Sequence, residues 1–326
     1  MKKLKKLKKV KVVLTRSELG AGTRGASMGI DAMKIAAIDL GSSYFRNHEQ
    51  VEIIDENWLL LERNHSKYAK QIKGIIKVDE RVARAVARVL KKGQFPVVLA
   101  GDHSTSGGTI AGIKSIYPDK TIGVVWIDAH ADMHSPYTTP SGNMHGMPLA
   151  SALGEDNLEL QSNTIDDKTK ELWEKLKNLG GPAPKILYRN LVYIALRDTE
   201  LQEDHLIQKH NVKCVTVKQL RNNGTQEVLS EVLSYLEHCD HIYVSFDVDS
   251  MDPRISLGTG TPVPNGLRVK EAEELMVGFA HSSKLCCFEI VEINPTLDTE
   301  NSMAETAFKI LDATTNALLN PLPNEN

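Results

Sequence analysis

Much that would mark this 326-residue sequence for a common functional class is missing. Its four cysteines, Cys214, Cys239, Cys286 and Cys287, show no zinc-ligand spacing. Cys286 and Cys287 sit inside an apolar run and read as reduced core residues, which fits a reducing, cytoplasmic compartment. No stretch approaches the roughly 18 consecutive apolar residues of a membrane span. Residues 10–14, the apolar segment after the Lys-rich start, are too short for a signal peptide. A formal net charge of −3 gives no reason to expect nucleic-acid binding. There is no Pro/Ser-rich linker and no internal repeat. The glycines of residues 18–29, ELGAGTRGASMG, form neither a P-loop nor a dinucleotide fingerprint.

What is present concentrates in residues 126–148, WIDAHADMHSPYTTPSGNMHGMP. The apolar run 122–127 reads as a buried strand. It leads into Asp128, His130 and Asp132, three potential metal ligands that alternate with alanines. In extended backbone alternate residues point to one side, so the three are expected to converge. Open α/β sheets place their sites at the carboxyl ends of strands. Two other apolar runs end similarly: 96–100 leads to Asp102-His103-Ser104, and 242–246 to Asp247-Val248-Asp249. Taken singly, each piece reads as readily as a helix cap or a turn. Three of them at the ends of separate buried strands do not. Together they supply two imidazoles, His103 and His130, and four carboxylates, Asp128, Asp132, Asp247 and Asp249. That much negative charge in one place raises pKa values or destabilises the fold unless cations neutralise it. A carboxylate-rich set with histidine and no cysteine suits Mn2+ or a similar hard to borderline ion.

Elsewhere strand and helix patterns alternate. Strands are expected over 9–14, 50–55, 96–100, 122–127, 192–196, 213–217, 242–246 and 285–291. Helices are expected over 30–39, most of 64–92, 107–116, 167–179, 201–209, 225–238, 269–281 and 304–319. Gly93 stops the second helix, and Gly180-Gly181-Pro182 breaks the fourth. Alternation of about eight strands with helices predicts an α/β fold with a parallel sheet covered on both faces. Without a linker, one domain over 1–326 is expected, behind a basic tail at about 1–9. Residues 1–11 hold seven lysines and read as solvated, with weak attachment to an anionic surface as the alternative.

The blocks AGDHS, WIDAHAD, TTPSGNMHG, SFDVDSMDP, GTGTPVPNGL and EINP resemble those of the ureohydrolases, which are binuclear manganese enzymes. Loop 138–146 is most similar to the arginase branch, and the resemblance covers nearly the whole chain. It implies a three-layer α/β/α sandwich around an eight-stranded parallel sheet, the arginase/deacetylase-like architecture. One metal is implied at His103, Asp128, Asp132 and Asp247, and a second at Asp128, His130, Asp247 and Asp249. Asp128 and Asp247 would bridge the two. Mn2+ is the expected ion, and Co2+ or Ni2+ can use the same ligands.

The resemblance further implies attack on a guanidinium carbon by a metal-bridging hydroxide. Glu292, in Glu292-Ile293-Asn294-Pro295, matches the guanidinium-binding position, where a carboxylate pairs with the planar cation. Asp132 would protonate the leaving amine and His145 would shuttle protons to solvent. Thr139, Ser141 and Asn143 match residues that bind the amino-acid end of the substrate. The sequence departs from the pattern at His134, where the family has Asn, and at Glu200, where most members have the shorter Asp. Asp198 matches the acidic position before it. The implied reaction is L-arginine and water to L-ornithine and urea, by a homo-oligomer, trimer or hexamer, with no nucleic-acid or membrane partner. Another guanidino or formimino amino acid is the alternative. Agmatine fits less well, because it lacks a carboxylate for the TTPSGN loop. A catalytically silent regulatory homologue would carry broken ligands, and none of the six is broken. A deacetylase-like amidohydrolase would show a His-His pair near the site, and none appears.

Overall fold

A computed structural model describes residues 9–320. Most of the Lys-rich N-terminal segment therefore lies outside the described residues. Apolar runs that do not alternate with polar residues need cover on both faces. The strands are β1 (Val10–Thr15), β2 (Glu49–Ile53), β3 (Phe95–Ala100), β4 (Ile122–Ile127), β5 (Leu191–Ile194), β6 (Lys213–Val215), β7 (His241–Asp247) and β8 (Leu285–Val291), and the inner β3 and β4 are such runs. All pair in parallel, in the order β2-β1-β3-β8-β7-β4-β5-β6. The inner strands β3, β4 and β8 are buried throughout, while the edge strands β2 and β6 are partly exposed.

The helices are α1 (Gly29–Asp39), α2 (Tyr44–Asn47), α3 (Ile72–Lys91), α4 (Ser106–Ile116), α5 (Pro148–Leu153), α6 (Asp167–Lys177), α7 (Leu201–Lys209), α8 (Val217–Asn223), α9 (Thr225–Tyr235), α10 (Val269–Ala280) and α11 (Ser302–Leu319). The period of two along each strand divides the core. Val12, Leu99, Val125, Val244 and Phe288 face one layer with α1, α9, α10 and α11. Val13, Val98, Trp126, Tyr243 and Cys287 face the other, with α3 to α7. The result is a three-layer α/β/α sandwich around an all-parallel eight-stranded sheet. Among the described residues no helix is long and apolar enough to cross a membrane.

The helical pattern read over 64–92 is too long: α3 begins only at Ile72. Asn64 Oδ1 accepts from the amides of Ser66 (3.3 Å) and Gln71 (3.3 Å), and Gln71 turns left-handed at φ 56°. A side chain that satisfies backbone donors this way competes with the helix ladder. The strand expected over 213–217 ends at Val215 for a related reason. Thr216 and Gln219 form a capping box that starts α8.

Leu99 lies fully buried on β3 between β1 and β8. Replacing it with Ala should cost about 2–5 kcal/mol through lost burial and the cavity left behind. Denaturant titration checks this as a lower midpoint at unchanged slope. A loss below about 1 kcal/mol would mean that the layer collapses around the gap.

Candidate active site

The four central strands, β3, β8, β7 and β4, deliver their side chains at one end of the sheet. After β3 the chain passes through Gly101, where a Cβ would lie 2.2 Å from the Ser17 carbonyl oxygen, and reaches His103. β4 leads to Asp128, His130 and Asp132, β7 to Asp247 and Asp249, and β8 to Glu292. Segment 128–132 is not extended, contrary to the expectation from its alternation. β4 stops at Ile127 and Asp132 turns left-handed at φ 50°. The turn divides the ligands into two groups instead of lining them up on one side.

His103 Nδ1 lies 3.1 Å from Asp128 Oδ2, 3.0 Å from Asp132 Oδ2 and 3.1 Å from Asp247 Oδ2. His130 Nδ1 lies 2.9 Å from Asp249 Oδ2 and 3.6 Å from Asp128 Oδ1. Asp128 belongs to both groups. His103 Nδ1 and Asp128 Oδ2 are buried and make no hydrogen bond among the described residues. Ligands about 2.1 Å from a shared divalent ion, at right angles, stand about 3 Å apart. The spacing around His103 matches that. Imidazole and carboxylate without thiolate fit a hard to borderline divalent ion.

Four of the six, His103, Asp128, Asp247 and Asp249, are aimed by a second contact. The His103 ring stacks on Trp126 at 4.1 Å, and its Nε2 bonds to Ser245 Oγ at 2.8 Å. Asp128 Oδ1 accepts from the His130 amide (2.7 Å), and Asp247 Oδ1 from the Asp249 amide (2.8 Å). Asp249 accepts from the Ala129 amide (3.2 Å) and from Thr261 Oγ1 (3.0 Å). Burial, reinforced by Asp249 and Asp128, pushes Asp247 well above the usual carboxylate range. Burial and the Asp128 charge raise Asp132 to about 6. Burial opposes ionisation of Asp128 too, but the His103 and His130 imidazoles beside it hold it low.

Above these groups is a cavity of about 320 Å³. Its wall includes His145, whose Nδ1 donates to Glu292 Oε1 at 3.2 Å. Burial disfavours the His145 cation, but that bond and the charges of Glu292 and Asp132 raise its pKa to about 9. Glu292 itself is buried just behind the cavity lining, at φ 66°, with Oε1 also accepting from the His103 amide (2.9 Å). Asp198 Oδ2 lies 3.6 Å from His130 Nε2. His134 Nε2 donates to Glu200 Oε2 at 2.8 Å. That bond holds Glu200 down to about 2, while burial works against the His134 cation and the same bond raises it. Thr139, Ser141 and Asn143 form the rim. Thr139 Oγ1 accepts from the Gly142 amide (2.9 Å), and Asn143 Oδ1 accepts from Lys70 Nζ (2.9 Å).

Several contributors escaped the sequence reading. Ser245 stands two residues before Asp247 on β7, so alternation alone puts both on one face. Glu203 stands three residues after Glu200, a capping-box spacing at the start of α7. It is buried, accepts from the amides of Met133 (3.0 Å) and Glu200 (3.2 Å), and burial raises it to about 8. Arg197 donates to the carbonyls of Ala195 (2.9 Å), Asp249 (2.7 Å) and Val263 (2.8 Å), tying the loops after β5 and β7 to the next. No local pattern marks Arg197 or Lys70, since apart from Ala195 their partners are distant in sequence.

A sequence profile of the Arginase family matches residues 8–315. The arginase of Brevibacillus brevis is 33% identical over 310 residues, 94% of this chain and 97% of that protein. The native structure of the arginase from Bacillus caldovelox superposes with a TM-score of 0.81 at 31% identity, over 94% of this chain and 98% of that one. A formimidoylglutamase from Bacillus subtilis shares the fold, with a TM-score of 0.73 at 20% identity over 98% of this chain and 89% of that one.

The two ligand groups differ in what one substitution removes. If each group holds one divalent ion, Asp128→Asn should strip both, because Asp128 is common to both groups, whereas His130→Asn should leave about one ion per chain. Plasma mass spectrometry of dialysed protein measures this, and equal metal content in the two variants would contradict a shared Asp128.

Proposed function

The chain belongs to the arginase family, and from that premise we propose that it hydrolyses L-arginine to L-ornithine and urea. The observation that carries the reading is a pair of His/carboxylate groups sharing Asp128, at the floor of a cavity rimmed by Thr139, Ser141, Asn143 and Glu200. His103, Asp128, Asp132 and Asp247 would hold one divalent ion, and Asp128, His130, Asp247 and Asp249 the other, with Mn2+ the ion of choice. Two such ions supply Lewis acidity and bring the pKa of water from about 16 towards neutrality.

The protein's own groups do the rest. Glu292 uses Oε1 to hold the His103 amide and His145 Nδ1. Oε2 is its oxygen for orienting the planar guanidinium. Asp132, beside the first ion's other ligands, takes a proton from the attacking water and hands it to the departing amine. His145, with its pKa near 9, carries a proton at neutral pH. With Nδ1 tied to Glu292, it exchanges protons with solvent through Nε2. The rim hydroxyls and the Asn143 amide take the carboxylate end of the substrate, and the acidic side, Asp198 and Glu200, its ammonium end. The four cysteines are free thiols, which supports a cytoplasmic location, and a homo-oligomer is the assembly proposed. Another guanidino or formimino amino acid is the second reading, favoured by His134 at the amino-acid end.

Urea release by protein loaded with Mn2+ or Co2+ tests the reading on L-arginine, agmatine and guanidino acids. L-arginine should lead by at least roughly tenfold in kcat/KM, and a preference for agmatine overturns the assignment. His145→Asn should lower kcat roughly 100-fold with little change in KM, and added imidazole should restore part of the rate. An unchanged kcat removes His145 from the proton path.

A further inference from the structure

His134 stands two residues after Asp132, yet its side chain turns away from the metal ligands and towards the start of α7. Its imidazole is almost fully buried, while the Glu200 side chain it holds is half exposed. Nδ1 meets Thr138 Oγ1 at 3.1 Å, and Thr138 Oγ1 also accepts from the Ser135 amide (3.1 Å). The ring is therefore fixed from its back edge, and Nε2 has one direction to donate, into Glu200 Oε2 at 2.8 Å. Glu203 Oε2 lies further off, at 3.7 Å, and is already engaged with the Glu200 amide.

The three acidic side chains at this end of the cavity are held differently. Glu203 is buried, with both oxygens on backbone amides, and cannot swing out to meet a ligand. Asp198 is largely exposed and stands beside His130. Glu200 is the N-cap of α7, where its side chain takes part in the capping box with Glu203, and it lines the cavity. A glutamate side chain that samples many rotamers loses affinity on being ordered by a ligand, and pre-ordering it removes that cost. His134 is placed to do this. Its Nε2 lies one bond further from Cβ than the nitrogen of an asparagine amide, so only a long donor reaches this long acceptor.

We infer that His134 is a positioning residue, and that it fixes the Glu200 carboxylate to receive the ammonium group of the substrate. The His134–Glu200 pair then acts as one selectivity unit. It favours guanidino compounds bearing an α-amino group over those without one. The inference rests on the proposed function, since it specifies how that site reads the amino-acid end of its substrate.

The test compares L-arginine with 5-guanidinopentanoate, which keeps the guanidinium and the carboxylate but lacks the α-amino group. In the metal-loaded protein, His134→Asn should raise KM for L-arginine roughly tenfold, the scale of one charged hydrogen bond, with kcat held to within about threefold. KM for 5-guanidinopentanoate should not move. His134→Gln places an amide nitrogen where Nε2 stood, and should recover most of the selectivity. Glu200→Asp should match His134→Asn, and the double variant should be no worse than either single one, because both break the same contact.

Calorimetric binding of L-ornithine and 5-aminopentanoate supplies a readout independent of turnover, and should show the same collapse of preference in His134→Asn. A wild type that does not distinguish L-arginine from 5-guanidinopentanoate overturns the proposed recognition of the amino-acid end and this inference together. A wild type that does distinguish them, with the ratio unchanged in His134→Asn, overturns this inference alone. Equal losses on both compounds, or a fall in kcat with KM unchanged, assign His134 a merely structural or chemical role.

Discussion

Four aspartates, Asp128, Asp132, Asp247 and Asp249, are buried within reach of one another, and much of the architecture follows from making that tolerable. Carboxylates crowded in a dry site repel, and the direction of their pKa values shows it: Asp132, Asp247 and Asp249 are all raised, chiefly by burial. Backbone amides absorb part of the charge. The His130, Asp249 and Ala129 amides each donate to an aspartate in the cluster. What these donors do not satisfy points inward. His103 Nδ1 faces three carboxylate oxygens at about 3 Å, the spacing that ligands of one shared divalent ion would take.

A parallel sheet is suited to this load because all its strands end on the same side. The chain order places β3, β8, β7 and β4 together in the middle, so ligands far apart in sequence meet at one edge. The inner strands are buried on both faces and leave little freedom in the positions of their ends. Small residues permit the close approaches. Gly101 passes the Ser17 carbonyl, and Gly142, at φ 78°, lets the rim loop lie against Lys67. The layer of α3 to α7 then braces the rim, since Lys70, just before α3, donates to Asn143.

The sheet was largely legible in the sequence because its signals are local. Residues 122–127 are an unbroken apolar run and 285–291 an apolar run interrupted only by Glu289, and the structure makes them β4 and β8 with those bounds. Where side chains compete for backbone groups, the pattern misled. Asn64 delays α3, and Thr216 ends β6 early. The candidate ligands were visible as residue types, but the turn at Asp132 was not, because an aspartate gives no sign in sequence that it will adopt φ 50°. Partners such as Ser245 and Glu203 were recoverable from spacing. Arg197 was not, since its acceptors are carbonyls set by the fold.

The two ends of the cavity are built from different material, and that bears on where the sequence departs from its family. The floor comes from strand ends in the centre of the sheet, where moving one ligand disturbs a cluster of mutually dependent charges. The opposite end comes from the loop after β4 and from the head of α7, which meet through side chains. A contact of that kind can change by paired substitution without moving the floor. The residues read from the sequence as departures from the arginase pattern, His134 and Glu200, both lie on this second surface and touch each other at 2.8 Å. A lone lengthening of Glu200 would leave its half-exposed carboxylate held by the capping box alone, and a lone imidazole at 134 would bury a donor without an acceptor. Together each supplies what the other lacks, so the reacting end can stay fixed while the reading end is rebuilt.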